Sequence, residues 1–122
     1  MVKLVEMDAS VTLTEQMEEG GGPVILINKF NVALSEVEQL LQAWAEDAAF
    51  MKRQPGFIST QLHRGIGGSC VFINCAVWES VEAYKKAFLQ PEFQESIKKY
   101  PPSAVASPHL FRKVAVTGIC VE

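Results

Sequence analysis

The stretch "VFINCAVW" at 71–78 constrains this chain more than any other. Read as a strand, it alternates between two faces. One face carries Val71, Ile73, Cys75 and Val77; the other carries Phe72, Asn74, Ala76 and Trp78. Neither face is built for water, so the strand has to be central in its sheet and covered on both sides. A lone asparagine on an otherwise apolar face also needs an explanation.

The flanking segments supply the rest of the sheet. "PVILINKFNV" at 23–32 predicts a first strand with Val24, Leu26, Asn28, Phe30 and Val32 on one side. Ile25, Ile27, Lys29 and Asn31 fall on the other side. Residues 34–54 predict a helix, with Val37, Leu40, Leu41, Trp44, Ala48 and Met51 at helical spacing. Ser35 and Glu38 have the spacing of a capping box at its start. "PGF" at 55–57 ends that helix and opens a second strand through Arg64, and "GIGG" at 65–68 predicts a hairpin turn. The 71–78 segment is the third strand. Ser80 suits the cap of a second helix carrying Val81, Tyr84 and Phe88; Pro91 interrupts it and starts a short helix with Phe93, Ile97 and Tyr100. "YPPSAVASP" predicts a loop and "HLFRKVAV" at 109–116 a fourth strand.

The order β-α-β-β-α-β, with a broken second helix, predicts an α+β, ferredoxin-like domain with an antiparallel sheet. Its first and third strands are central neighbours, and both helices cover one face. The face left open carries Ile25, Ile27, Val71, Ile73, Cys75 and Val77. An exposed apolar surface of that kind predicts an interface, and a two-fold homodimer is the commonest solution.

Charge is unevenly spread. Residues 1–22 hold five acids and one lysine, whereas the remaining hundred hold nine acids and ten bases. The acidity therefore sits in an N-terminal arm that ends in "EEGGGP", which composition predicts to be flexible. Val2, Leu4, Val11 and Leu13 are the arm's available contacts should a groove or a partner hold it. The near-neutral body has no basic stripe, which argues against nucleic acid as a partner. No apolar run approaches the roughly 20 residues of a membrane helix, so no membrane partner is expected. The N-terminus lacks a signal-peptide pattern, and Cys70, Cys75 and Cys120 have no metal-ligand spacing. A cytoplasmic protein with free thiols and no metal site is the expectation.

"RQPGFISTQLHRGI" followed by "FINCAVWESVEAYKKAFLQPEF" resembles the antibiotic biosynthesis monooxygenase superfamily over about residues 23–116. The resemblance divides the chain into an acidic arm at 1–22, the family-like domain at 23–116 and a tail at 117–122. It implies a homodimeric α+β barrel with a pocket between sheet and helices. Known activities in the superfamily include cofactor-independent oxygenation of polycyclic phenols or anthrones, and haem degradation. The haem-degrading pocket has an asparagine on the first strand, a tryptophan ending the third and a histidine on the second helical segment. Asn28 and Trp78 match the first two, but "PEFQESIKKYP" has Ile97 near the third place and no histidine. No resident cofactor is therefore expected, and haem is disfavoured.

The expected function is a monooxygenase acting on a small aromatic or quinol-like ligand, the alternatives being a haem-binding oxygenase and a non-catalytic dimeric binding module. Asn28 would polarise a ligand oxygen, Trp78 would hold the ring plane, and His63 or His109 would move a proton near neutral pH. Phe30, Phe72, Asn74, Tyr84, Phe88 and Phe93 are the expected pocket wall. "GIGG" is not followed by a helix, and no phosphate loop, nucleophile motif or carboxylate pair appears.

Overall fold

The computed structural model describes residues 2–122. Its elements are β1 (Lys3–Leu4), α1 (Leu13–Met17), β2 (Val24–Asn31), α2 (Val37–Lys52), β3 (Phe57–Arg64), β4 (Val71–Trp78), α3 (Val81–Phe88), α4 (Pro91–Ser96) and β5 (Val105–Phe111). The sheet order is β1-β5-β2-β4-β3. Its four long strands are antiparallel, and β1 joins β5 in parallel. This is the ferredoxin-like α+β architecture, with β2 and β4 as central neighbours.

Register explains the two faces of β4. Asn28 pairs with Asn74, Phe30 with Phe72 and Leu26 with Ala76, and all six point toward the helices. The opposite side presents Ile25, Ile27, Cys75 and Val77, half-buried, together with Ile73, which is 37% exposed. The helices therefore cover one face, and the other stays open and largely apolar.

Under the helices the core forms two clusters. One gathers Phe30, Phe72, Leu40, Ala43 and Tyr100; the other gathers Leu26, Ala76, Trp78, Tyr84 and Val81. On β2 and β4 the row between them is Asn28–Asn74. A polar row separates the two halves of the core at the centre of the sheet.

Several local expectations need correction. The first helix has no Ser35 cap; a single 3-10 turn at Leu34–Glu36 leads into α2 without a side-chain cap. The capping box that does form is Thr12 with Glu15, at the start of α1 in the arm. The fourth strand of the sequence reading begins at Val105 rather than His109 and ends at Phe111. Proline misled that reading. Pro108 sits in the strand because its missing N–H costs nothing on an edge that β1 pairs only as far as Ala106.

The acidic arm is folded onto the body rather than flexible. Val2 is buried in the first cluster, and Leu13 and Met17 in the second. Leu4 and Val11 remain substantially exposed. Lys3 N–H donates to the Ala104 carbonyl and Val5 N–H to the Ala106 carbonyl, both at 2.9 Å. Further along β5, Gln16 imitates a strand: its amide donates to the Leu110 carbonyl and its oxygen accepts from Leu110 N–H, each at 2.9 Å. The β5 edge is thereby sealed, which removes a template for unwanted strand pairing. Glu19 meets Arg112 at 2.6 Å, so part of the arm's acidity is matched by the body's bases.

The "PGF" turn is held by a backbone that only glycine tolerates. Gly56 has φ +88°, and a Cβ built there would lie 2.4 Å from the Ala83 Cβ on α3. Its carbonyl accepts from Glu79 N–H at 2.8 Å, so the turn cannot swing away freely. Gly56→Ala should lower unfolding free energy by about 1–3 kcal/mol, the usual range for backbone strain of this kind. Chemical denaturation would read this; an unchanged midpoint would show that α3 yields at no cost.

Candidate functional site

A cavity of about 80 Å³ lies between the sheet and the helices, counted as space in which the centre of a water molecule can move. One water needs roughly 10–15 Å³ on that measure, so the space is several times larger. Asn28, Thr60, Asn74, Trp78 and Pro108 contribute to its floor. The roof comes from Trp44, Asp47 and Met51 of α2, Tyr84 and Phe88 of α3, and Phe93 of α4. Members of both core clusters line it, so the cavity opens where the two halves of the core do not meet. Val2 and Leu4 bring the arm into its wall.

The floor contains the site's unusual chemistry. Asn74 Oδ1 accepts from the Thr60 hydroxyl at 2.5 Å. Asn28 Oδ1, directly across the strand pair, is buried and has no hydrogen-bond partner within the protein. Trp78 is 1% exposed, and its Nε1–H is likewise buried without a partner. A buried polar atom left unpaired costs about 1–3 kcal/mol, so two on one floor are a substantial local burden. One is an acceptor and the other a donor. Their residues lie four apart in strand register, about 13 Å between Cα rows at 3.3 Å per residue.

Aromatic packing keeps Trp78 in place. Phe57 meets its ring edge-on at 5.4 Å and Tyr84 at 5.7 Å. The chain of rings continues from Tyr84 to Phe88 at 5.9 Å and from Phe88 to Phe93 at 5.5 Å. The rings meet at 45–89°, so they brace one another and offer a bound aromatic ring both faces and edges to pack against.

One carboxylate reaches this apolar space. Asp47 is 7% exposed, on the inner face of α2, and the Ser96 hydroxyl donates to its Oδ1. Burial raises its pKa above the ordinary carboxylate value. Hydrogen bonds from Ser96 and Tyr100 and the charge of Lys99 oppose that rise, and Glu46 adds to it. Tyr100 stacks on Phe30 at 5.6 Å, which fixes its ring. Burial pushes the hydroxyls of Tyr84 and Tyr100 far above the usual tyrosine range, so both stay protonated.

The expected site residues divide cleanly. Asn28, Phe30, Asn74, Trp78, Tyr84, Phe88 and Phe93 line one cavity. Phe72 does not; it is buried in the first cluster with the Arg64 guanidinium 5.2 Å above its ring. Neither histidine reaches the cavity. His63 pairs with Ile73 and His109 with Ile27, which places both on the open face of the sheet. His63 Nδ1 lies 3.3 Å from the Ile73 carbonyl, and Gln16 of the arm reaches His109 Nε2 at 3.1 Å. Asp47 was missed, although its signal was present: position 47 falls on the same helical stripe as Leu40 and Trp44, where a charge is out of place. Thr60 left no comparable sign; Val2 stood among the arm's available contacts, with nothing to tie it to this cavity.

Comparisons with known proteins agree on the fold. A family model described as antibiotic biosynthesis monooxygenase matches residues 23–99. Deoxynogalonate monooxygenase of Streptomyces nogalater is 36% identical over 70 residues, and that match spans 57% of this chain and 58% of the relative's length. The crystal structure of SnoaB, a cofactor-independent oxygenase from Streptomyces nogalater, superposes with a TM-score of 0.68 at 28% identity. That likeness covers 80% of this chain and 99% of SnoaB. A conserved protein from Methanosarcina mazei shares the fold alone, with a TM-score of 0.67 at 12% identity over 75% of this chain and 94% of its own.

Replacing an orphaned polar group with a hydrocarbon of similar size removes a desolvation cost and fills space. Asn28→Leu should therefore raise unfolding free energy by about 1 kcal/mol. Urea denaturation decides this: a loss of similar size would mean that the amide is satisfied in the folded protein.

Proposed function

The chain belongs to the antibiotic biosynthesis monooxygenase family, and from that membership we propose that it oxidises a small aromatic or quinol-like molecule with dioxygen, without a resident cofactor. The observation that carries this reading is the pair of orphaned polar atoms, Asn28 Oδ1 and Trp78 Nε1, on the floor of an aromatic-walled cavity. A planar ligand bearing oxygen at both ends of its ring system offers a partner to each. The Trp78 N–H donates to a carbonyl or phenolate oxygen, and Asn28 accepts from a hydroxyl. SnoaB's description as a cofactor-independent oxygenase supports the same chemistry.

In that chemistry the substrate loses a proton and its electron-rich anion reacts with dioxygen. For a ring methylene the balance is CH₂ + O₂ → C=O + H₂O. The protein contributes a dry cavity, a fixed donor for the developing oxyanion and a place for the proton. Haem does not suit this cavity, because Ile97 lines it with hydrocarbon where the resemblance would place an iron ligand. Free Cys70, Cys75 and Cys120 fit a reducing, cytoplasmic setting.

We also propose that a second copy covers the open sheet face. Ile25, Ile27, Ile73 and Val77 there gain roughly 25 cal/mol for each Å² of apolar surface removed from water.

Oxygen uptake against anthrones, naphthols and hydroquinones, with no added metal or flavin, tests the activity. Uptake should exceed the buffer rate; Trp78→Phe, which removes the donor to the developing oxyanion, should lower kcat by about a hundredfold to a thousandfold, and Asn28→Ala, which removes an acceptor for the substrate hydroxyl, should lower kcat/KM by about tenfold. Equal rates in all three proteins would remove these residues from the site, and no uptake from any substrate would favour a binding module. Light scattering at micromolar concentration tests the assembly: the expected mass is twice 13.5 kDa, and a monomer would sink the dimer.

A further inference from the structure

Proton removal needs an acceptor, and the two histidines face away from the cavity. The titratable residues lining the cavity are Asp47, Tyr84 and Tyr100. Both tyrosines are held in their protonated form, so neither serves as a base. Asp47 alone among them carries a carboxylate. It enters from α2, on the helix side, and faces the floor that holds Asn28 and Trp78. Its surroundings resemble those of a working base: a largely apolar, aromatic-walled space and two hydroxyl donors, Ser96 and Tyr100, that fix its orientation.

We propose that Asp47 is the catalytic base, taking a proton from the hydroxyl or acidic methylene of an aromatic substrate lying on the Asn28–Trp78 floor. This rests on the aromatic-oxygenase reading and deepens it. In the step, the substrate's O–H or C–H bond breaks and an O–H bond to Asp47 forms. The electron pair stays on the ring system as a phenolate or carbanion, and dioxygen is the oxidant that follows. Burial favours a base of this kind, because a carboxylate in an apolar cavity binds a proton more strongly than one in water. Ser96 is a positioning residue. The other charges acting on Asp47 are Glu46 on its own helix and Lys99 from the 3-10 turn after α4; these two pair with each other at 2.8 Å.

The sign of the pH dependence follows. The base works when ionised, so kcat/KM should rise with pH along a limb displaced above the ordinary carboxylate range. Ser96→Ala removes a hydrogen bond that favours the ionised form, and should move that limb to still higher pH. Asp47→Asn should lower kcat by about a hundredfold or more and abolish the limb. Asp47→Glu should restore part of the rate.

A binding readout separates this role from a structural one. 4-Nitrophenol absorbs differently as phenol and phenolate. Bound beside an ionised Asp47, its ionisation midpoint should be higher in the native protein than in Asp47→Asn. An equal midpoint in two proteins that both bind the probe overturns Asp47 as the base and leaves the aromatic reading standing. An Asp47→Asn variant that keeps the limb does the same. If Asp47→Asn fails to fold, the Ser96→Ala shift decides, and a limb that stays in place overturns the proposal. If the native protein binds neither 4-nitrophenol nor any phenol of the uptake panel, the aromatic reading falls, and the base falls with it.

Discussion

Cross-strand register between β2 and β4 governs the molecule. With Asn28 opposite Asn74, apolar rows fall on either side and the helices pack over them in two separate clusters. A slip of β2 by one residue would turn Asn28 to the open face, leave Asn74 without its partner and bring Ile25, Ile27 and Lys29 under the helices. The cavity is thus a consequence of pairing. Two amides cannot pack like the leucines and phenylalanines beside them, so the core parts along their row.

The same register separates tasks between the faces. The helix side holds the unpaired donor and acceptor, the aromatic wall and a single buried carboxylate. The open side holds both histidines and a band of isoleucine, valine and cysteine. A buried carboxylate such as Asp47 interacts more strongly with its neighbours than one at the surface would. The exposed pairs Arg53–Glu92 and Lys98–Glu95, by comparison, contribute little.

Much of this was legible because strand alternation and helical spacing are strong physical signals. They revealed four strands, the helices, the central pair and the polar row. The parts that escaped did so for identifiable reasons. Pro108 made the start of β5 look like a loop, since its tolerance depends on how little of the neighbouring edge is occupied. His109 was read without its partner Ile27, so its face could not be assigned. Asp47 was passed over because an apolar stripe was traced through the residues that fit it. The arm hid its order in composition: Thr12 and Glu15 have capping-box spacing, but the acids and glycines around them suggested disorder. Its anchorage depends on long-range contacts such as Gln16 to Leu110, which no local pattern announces.

Where the arm is seated has a consequence for inheritance. Val2 and Leu4 form part of the cavity wall, yet they lie outside residues 23–99, which match the family. The floor with Asn28 and Trp78 belongs to the shared domain, whereas one side of the chamber is encoded by a separate N-terminal piece. Changes in those first residues can reshape the chamber while the asparagines, the tryptophan and the strand register stay untouched. The chamber's wall can therefore vary with an appendage, within the limits set by Val2, Leu13 and Met17, which the same appendage contributes to the core.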